Sequence, residues 1–120
     1  MQVLCHHIYE YKKGLRHLVL HTIHSSFQEA SEVKLRQQNI RYFIQSVNES
    51  RINIFFGNED CVDVVCEMID NKKLNQLTSE EDFILGTMLG YDRLQQCRRY
   101  LRKKEKDRNF LRKLFFLKRA

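Results

Sequence analysis

Residues 51–62, RINIFFGNEDCV, hold the pattern that decides the fold. Every second residue from Ile52 to Phe56 is apolar, and this alternation predicts a β-strand with one buried face. Asn58 follows Gly57 and suits a helix N-cap, because its side-chain oxygen can accept from the unpaired backbone N–H groups of the first turn. The two acidic residues after it favour the positive end of the helix dipole. The sequence therefore predicts a strand that passes directly into a helix.

The flanking sequence extends this unit in both directions. Residues 40–48 (IRYFIQSVN) predict a second strand that pairs antiparallel with the first through a short turn. Before them, Ser26 and Glu29 form a capping-box pattern, which predicts a helix that ends near Asn39. A second capping-box pattern at residues 78–81 predicts another helix. From there a helical stripe of apolar residues continues towards the charged C-terminal end, which predicts a long helix.

The N-terminal region predicts a β-hairpin that could also hold a metal. Residues 3–10 (VLCHHIYE) and 15–23 (LRHLVLHTI) are rich in β-branched, aromatic and imidazole side chains, and Gly14 supplies the turn. In this register one hairpin face gathers a thiol and three imidazoles, which are the ligands that zinc prefers. The candidate ligands are Cys5, His7, His17 and His21. The other interpretation is that they are ordinary, half-buried strand residues.

These elements predict an α+β domain. The order is ββαββα plus a long C-terminal helix, and two strand–strand–helix units form a mainly antiparallel sheet that is covered by helices on one face. The 120 residues suffice for one core. We therefore expect a single α+β domain over residues 1–104, with residues 105–120 as a basic, amphipathic helical extension of it.

The positive charge of the chain is concentrated at its C-terminal end. The net charge is +6, yet residues 92–120 carry twelve Lys/Arg and three Asp/Glu, so that segment is +9 and residues 1–91 are −3. Such asymmetry points to anionic partners. The candidate partner-binding residues are Arg98, Arg99, Arg102, Lys103, Lys104, Arg108, Arg112 and Lys113. The same helix could instead be solvated, pack on the domain or on another copy, lie on an anionic membrane, or bind nucleic acid.

No motif in the sequence indicates an enzyme. There is no phosphate-binding loop and no nucleophile elbow, and the acidic cluster at residues 80–82 is explained by helix capping. Gly86 and Gly90 lie four residues apart, hence on one helical face, which indicates either close packing or a ligand. Four scattered cysteines and the absence of a signal peptide or long apolar stretch predict reduced thiols in the cytoplasm.

Three stretches resemble a family of small bacterial proteins classed as a domain of unknown function. They are HHIYEYKKGLRHLVLHT at 6–22, INIFFGNEDCV at 52–62 and TSEEDFILGTMLGYDRLQQCRRYL at 78–101, and the resemblance spans nearly all of residues 1–104. It implies no catalytic residue. It does imply a gene neighbour, a flavodoxin, which is a small acidic electron carrier. We therefore expect a cytosolic, non-enzymatic interaction protein whose basic helix engages an acidic partner or another copy, with nucleic-acid or zinc binding as alternatives.

Overall fold

Over its described residues, the chain folds around an antiparallel sheet of three strands, with five helices against and beside it. The computed structural model describes the backbone of residues 1–119 and the side chains of residues 1–115. In chain order the elements are α1 (Gln2–Lys12), β1 (Leu18–His24), α2 (Gln28–Gln37), β2 (Arg41–Ser46), β3 (Arg51–Gly57), α3 (Glu59–Ile69), α4 (Ser79–Met88) and α5 (Arg93–Arg119), with 3-10 turns at Ser25–Phe27 and Leu74–Gln76. The predicted α+β class is confirmed, as is the long C-terminal helix.

The strand β3 forms the centre of the sheet. β3 lies between β1 and β2 and is antiparallel to both. The predicted pairing of β2 with β3 is confirmed. Their turn is closed by Asn48, whose Oδ1 accepts from the backbone N–H of Ser50 at 2.9 Å and of Arg51 at 3.0 Å. A short turn with an asparagine that mimics backbone hydrogen bonding fixes this register locally.

Helices cover both faces of the sheet. Ile54 and Phe56 of β3 pack towards α1 and α2, whereas Phe55 packs towards α3 and α4. The expectation that helices cover one face is therefore wrong. The sequence contains the reason, because three consecutive apolar residues in a central strand are typical of a strand buried on both sides.

The predicted N-terminal hairpin is wrong, because residues 2–12 form α1 and not a strand. Leu4 and Ile8 are its buried residues, and their spacing of four places them on one helical face. The second half of the predicted hairpin is indeed a strand, β1, but it pairs with β3 instead. The element order is consequently αβαββααα rather than ββαββα with a terminal helix.

The predicted start of α2 is also different in the structure. Ser26 does not cap a helix; it belongs to a 3-10 turn, in which its backbone N–H donates to Nδ1 of His24 at 3.1 Å. α2 begins at Gln28 without a side-chain cap. Its predicted end is confirmed in conformation, since Asn39 has a φ of 55°. Asparagine tolerates this left-handed conformation better than most residues.

The two other predicted helix starts are confirmed. Oδ1 of Asn58 accepts from the N–H groups of Asp60 and Cys61 at the start of α3. Thr78 and Glu81 exchange reciprocal side-chain to backbone hydrogen bonds at the start of α4. Both caps are local patterns, so the sequence alone is sufficient to predict them.

The chain reverses direction between α4 and α5. Gly90, with a φ of 80°, follows the end of α4, and Oδ2 of Asp92 accepts from the N–H of Gln95 at 2.9 Å to cap α5. α5 then runs antiparallel to α4 and continues unbroken through the predicted extension to Arg119, while Ala120 lies outside the described residues. No helix in the described chain combines the length and the apolar character needed to cross a membrane.

Candidate functional site

The basic helix α5 is held against α4 by a cluster of ion pairs around Asp82. This carboxylate accepts from Nε of Arg99 at 2.7 Å and from its Nη2 at 3.0 Å, and Nζ of Lys103 lies 3.2 Å from it. The hydrogen bonds from Arg99 are the main cause of a lowered pKa of Asp82. Only 14% of the Asp82 side chain is exposed, so this carboxylate is largely shielded from water, whereas Arg99 and Lys103 are partly exposed.

Two more contacts continue this seam towards the start of α4. Nζ of Lys104 lies 2.5 Å from Oε1 of Glu80, which also accepts from the Tyr100 hydroxyl. The Lys104 hydrogen bond lowers the pKa of Glu80. Farther on, the Ser79 hydroxyl donates to Asp107 at 3.3 Å. Because Ser79 is the first residue of α4, Asp107 marks the point on α5 beyond which α4 no longer runs beside it.

The eight predicted partner-binding cations thus fall into two groups. Arg99, Lys103 and Lys104 are paired with acids of α4 within the chain. The other five form no ion pair with any described residue: Arg98, Arg102, Arg108, Arg112 and Lys113. Ion pairs with α4 therefore neutralise three of these cations. The charges of the other five are available to a partner.

The face of α5 that packs on α4 continues as an apolar stripe beyond the N-terminus of α4. Residues three, four and seven apart share a helical face, and those spacings lead from Lys103 and Asp107 to Phe110, Leu111 and Leu114. Their exposed fractions are 61%, 62% and 39%. We call these three residues the terminal stripe. In the described part of the chain every residue from 105 to 115 is exposed, so the helix projects from the domain over this segment.

The two glycines of α4 and its C-terminus have different roles. A Cβ at Gly86 would overlap the Gln96 side chain of α5, so the glycine permits close packing of the two helices. Gly90 has open space around it and a positive φ, so its role is the reversal of the chain. The sequence left close packing and a ligand as alternatives for Gly86, and in the structure its neighbour is the Gln96 side chain.

The four candidate zinc ligands lie on α1, on β1 and on the connection between them. His7 and His21 meet edge to face with ring centroids 5.3 Å apart. Cys5 is exposed on α1, and the His17 backbone carbonyl accepts from the N–H of Asn58. Within the described residues no three His, Cys, Asp or Glu side chains are arranged to hold a metal ion. Zinc binding stays a prediction, and the hairpin register on which it rested is wrong.

The histidine pair is instead part of a polar cluster on the surface. Nη1 of Arg16 lies 3.1 Å from Nδ1 of His7, and Glu10 approaches the same ring at 3.6 Å. Burial is the main cause of the lowered pKa of both His7 and His21. The charge of Arg16 lowers the pKa of His7 further, and the repulsion that a protonated His7 would exert lowers the pKa of His21 further. Both imidazoles are therefore held in the neutral form near neutral pH.

Sequence reasoning missed a groove between α4 and α5. It is open, has a volume of about 540 Å³, and is lined almost entirely by apolar and aromatic groups: Phe83, Ile84, Cys97, Tyr100 and Leu101, with Glu80 at its edge. The signal in the sequence was the apolar spacing from Leu94 through Cys97 to Leu101, which was interpreted only as helix continuation. That these positions face solvent depends on which way α5 folds back.

Residues 2–103 match the model of a protein family described as a protein of unknown function, DUF2023. This match covers most of the chain, and the protein belongs to that family. No curated protein matches the sequence. The groove between α4 and α5 lies within the matched residues, whereas the terminal stripe lies beyond them.

Proposed function

We propose that this member of the family is a docking protein that binds an acidic protein partner through the projecting end of α5. The observation that carries the proposal is the terminal stripe. Phe110, Leu111 and Leu114 continue the face of α5 that packs on α4, but α4 ends at the level of Asp107. A helix or loop of a partner could lie against α5 beyond Asp107, in line with α4, and would bury these side chains there.

The charge around the stripe specifies the kind of partner. Residues 108–120 contain five Lys/Arg and no Asp/Glu. On the inner part of α5 the same kind of cation is met by Glu80 and Asp82 of α4. A partner that repeats this arrangement would carry acids beside an apolar surface, and complementary charge would raise its association rate and selectivity.

A second copy fits this stripe poorly. Two stripes face to face would bring Arg108, Arg112 and Lys113 of each chain together without an acid between them, and like charges at such flanking positions disfavour pairing. A flat bilayer also fits poorly, because the stripe faces the side on which α4 and the rest of the domain stand. The favoured partner is therefore a protein that can enter the space beside the projecting end of α5, next to the N-terminus of α4.

The first partner to test is a purified flavodoxin, since the family resemblance implies such a gene neighbour and flavodoxins are small and acidic. Calorimetric titration at low salt should give binding that weakens as salt rises, because the contact is partly between opposite charges. The variant L111S/L114S should bind at least about tenfold more weakly. V33S/V64S is the matched control, since Val33 and Val64 are exposed on α2 and α3, away from α5.

The same titration is run against a DNA duplex and vesicles that contain phosphatidylglycerol. Flavodoxin binding that L111S/L114S abolishes and V33S/V64S preserves would support the proposal. Binding of the duplex or the vesicles with no binding of the acidic protein would replace it by a general affinity for polyanions. If both variants bind the acidic protein equally well, the stripe does not contribute to binding, and the contact is made by the charges alone.

A further inference from the structure

The groove between α4 and α5 is a second apolar surface, separate from the terminal stripe. Leu101 is 62% exposed and Ile84 is 44% exposed, although each sits among other apolar groups. Leu94, 56% exposed, extends the surface one helical turn towards the start of α5. Both cores of the domain lie elsewhere, on the two faces of the sheet. Burying these adjoining apolar side chains against a partner would be favourable, because it would remove them from water.

Opposite charges stand beside this groove at a spacing that prevents them from pairing within one chain. Arg98 and Glu105 lie on the same side of α5, seven residues apart. With a rise of about 1.5 Å per residue, about 10 Å separates them along the helix. In the described part of the chain neither side chain forms an ion pair.

We propose that this groove binds the same groove of a second copy, with the two α5 helices antiparallel and a two-fold axis passing between Leu101 and Arg102. That axis lies midway between Arg98 and Glu105. Arg98 of each copy therefore stands opposite Glu105 of the other, and the ion pair that one chain cannot make forms twice. Leu101 of each copy enters the groove of the other beside Ile84.

A second copy is favoured over other occupants because the charges at the rim complement themselves. An acidic partner would be attracted to Arg98 but repelled by Glu105, and a polyanion would meet the same conflict. Two-fold symmetry instead satisfies both residues with one contact. The net charge of +6 on each chain opposes association at low salt, and added salt screens that repulsion.

The test is the mass of the full chain in solution, measured by sedimentation equilibrium in 0.5 M NaCl at about 100 μM, where a micromolar dissociation constant gives mostly dimer. The expected mass is twice the 14.6 kDa of one chain. L101E should raise the dissociation constant about 100-fold, because it places a charge against apolar groups. Leu101 is exposed, so the variant should fold, and circular dichroism verifies this.

A charge exchange tests the register. R98E should raise the dissociation constant about tenfold, because two attractive pairs become repulsive, and R98E/E105R should restore the original value. K113E is the matched control: it makes the same change of charge on α5 away from the groove and should leave the dimer unaffected. K113E should still weaken the binding of the acidic partner. Failure of the dimer proposal can therefore be distinguished from failure of the proposed function.

A mass of one chain at the stated concentration would overturn the proposal. A dimer that L101E leaves intact would place the interface elsewhere, and so would overturn it too. A dimer weakened by R98E but not restored by R98E/E105R would overturn the antiparallel register.

Discussion

Replacing Asp82 by asparagine should loosen α5 from the domain. The carboxylate is mostly buried and makes three contacts with Arg99 and Lys103 at 2.7, 3.0 and 3.2 Å. Hydrogen bonds to charged groups contribute about 1.5–3 kcal/mol each when shielded, but both cations are one third to one half exposed. We therefore expect D82N to lower the free energy of unfolding by about 2 kcal/mol in total.

Urea unfolding at pH 7 measures that loss, and hydrogen exchange along α5 shows where it is felt. E80Q is the comparison, because Glu80 is half exposed and its pair with Lys104 should contribute less. Since the pKa of Asp82 is lowered in the folded chain, its contribution is complete above the unfolded pKa and is lost as pH falls through the folded pKa. Equal losses for D82N and E80Q at pH 7 would refute the claim that Asp82 anchors the helix.

Three further predictions concern the domain itself. G57A should destabilise the fold by about 3 kcal/mol or more, because the residue has a φ of 146° and its Cβ would overlap a backbone carbonyl. G14A, with open space around it and a φ of 77°, should cost only about 1 kcal/mol in the same urea titration. Stability should decline as pH falls below 6.5, because the lowered pKa values of His7 and His21 oppose their protonation in the folded state. H21Q should reduce the change of the unfolding free energy between pH 7 and 5, and an unchanged pH dependence would contradict this prediction. N53A should lower the melting temperature by several degrees, because buried Asn53 accepts from one strand and donates to the other, and its loss leaves those partners unsatisfied.

The parts of the fold that the sequence predicts are those encoded locally. Asn58 and Thr78 cap their helices as expected, and Asn48 closes the turn between β2 and β3. In each case a polar side chain satisfies backbone groups within three residues of itself. No distant contact is needed, so the pattern alone is sufficient.

The first helix could not be predicted in this way. Over the eight residues from Val3 to Glu10, β-branched and aromatic side chains favour a strand, and a stretch so short fits either period. What decides in favour of a helix is the packing of Leu4 and Ile8 against the sheet. That contact joins residues far apart in the chain, and local propensity gives no sign of it.

The sequence indicates that α5 is basic, but not which of its cations pair with acids within the chain. The charge asymmetry pointed to α5 and named eight cations. Which of them are free depends on the reversal at Gly90, because that turn brings Asp82 opposite Arg99 and not opposite Arg98. A change of one residue in the reversal would rotate α5 by about 100° and select a different set.

The position of α4 explains why the apolar stripe at the projecting end of α5 is exposed. All three acids in the first turn of α4 are engaged: Glu80 and Asp82 pair with α5, and Glu81 pairs with Lys72. Among the described residues, no acid and no other helix lies against the stripe beyond Asp107. Beside α4, the helix therefore carries cations whose acidic complement α4 supplies. Beyond Asp107, it carries cations together with an exposed apolar stripe. A partner that presents acids beside an apolar face would supply there the charges that α4 supplies to Arg99 and Lys104 and would also cover the stripe, and this is the chemistry by which we expect it to be recognised.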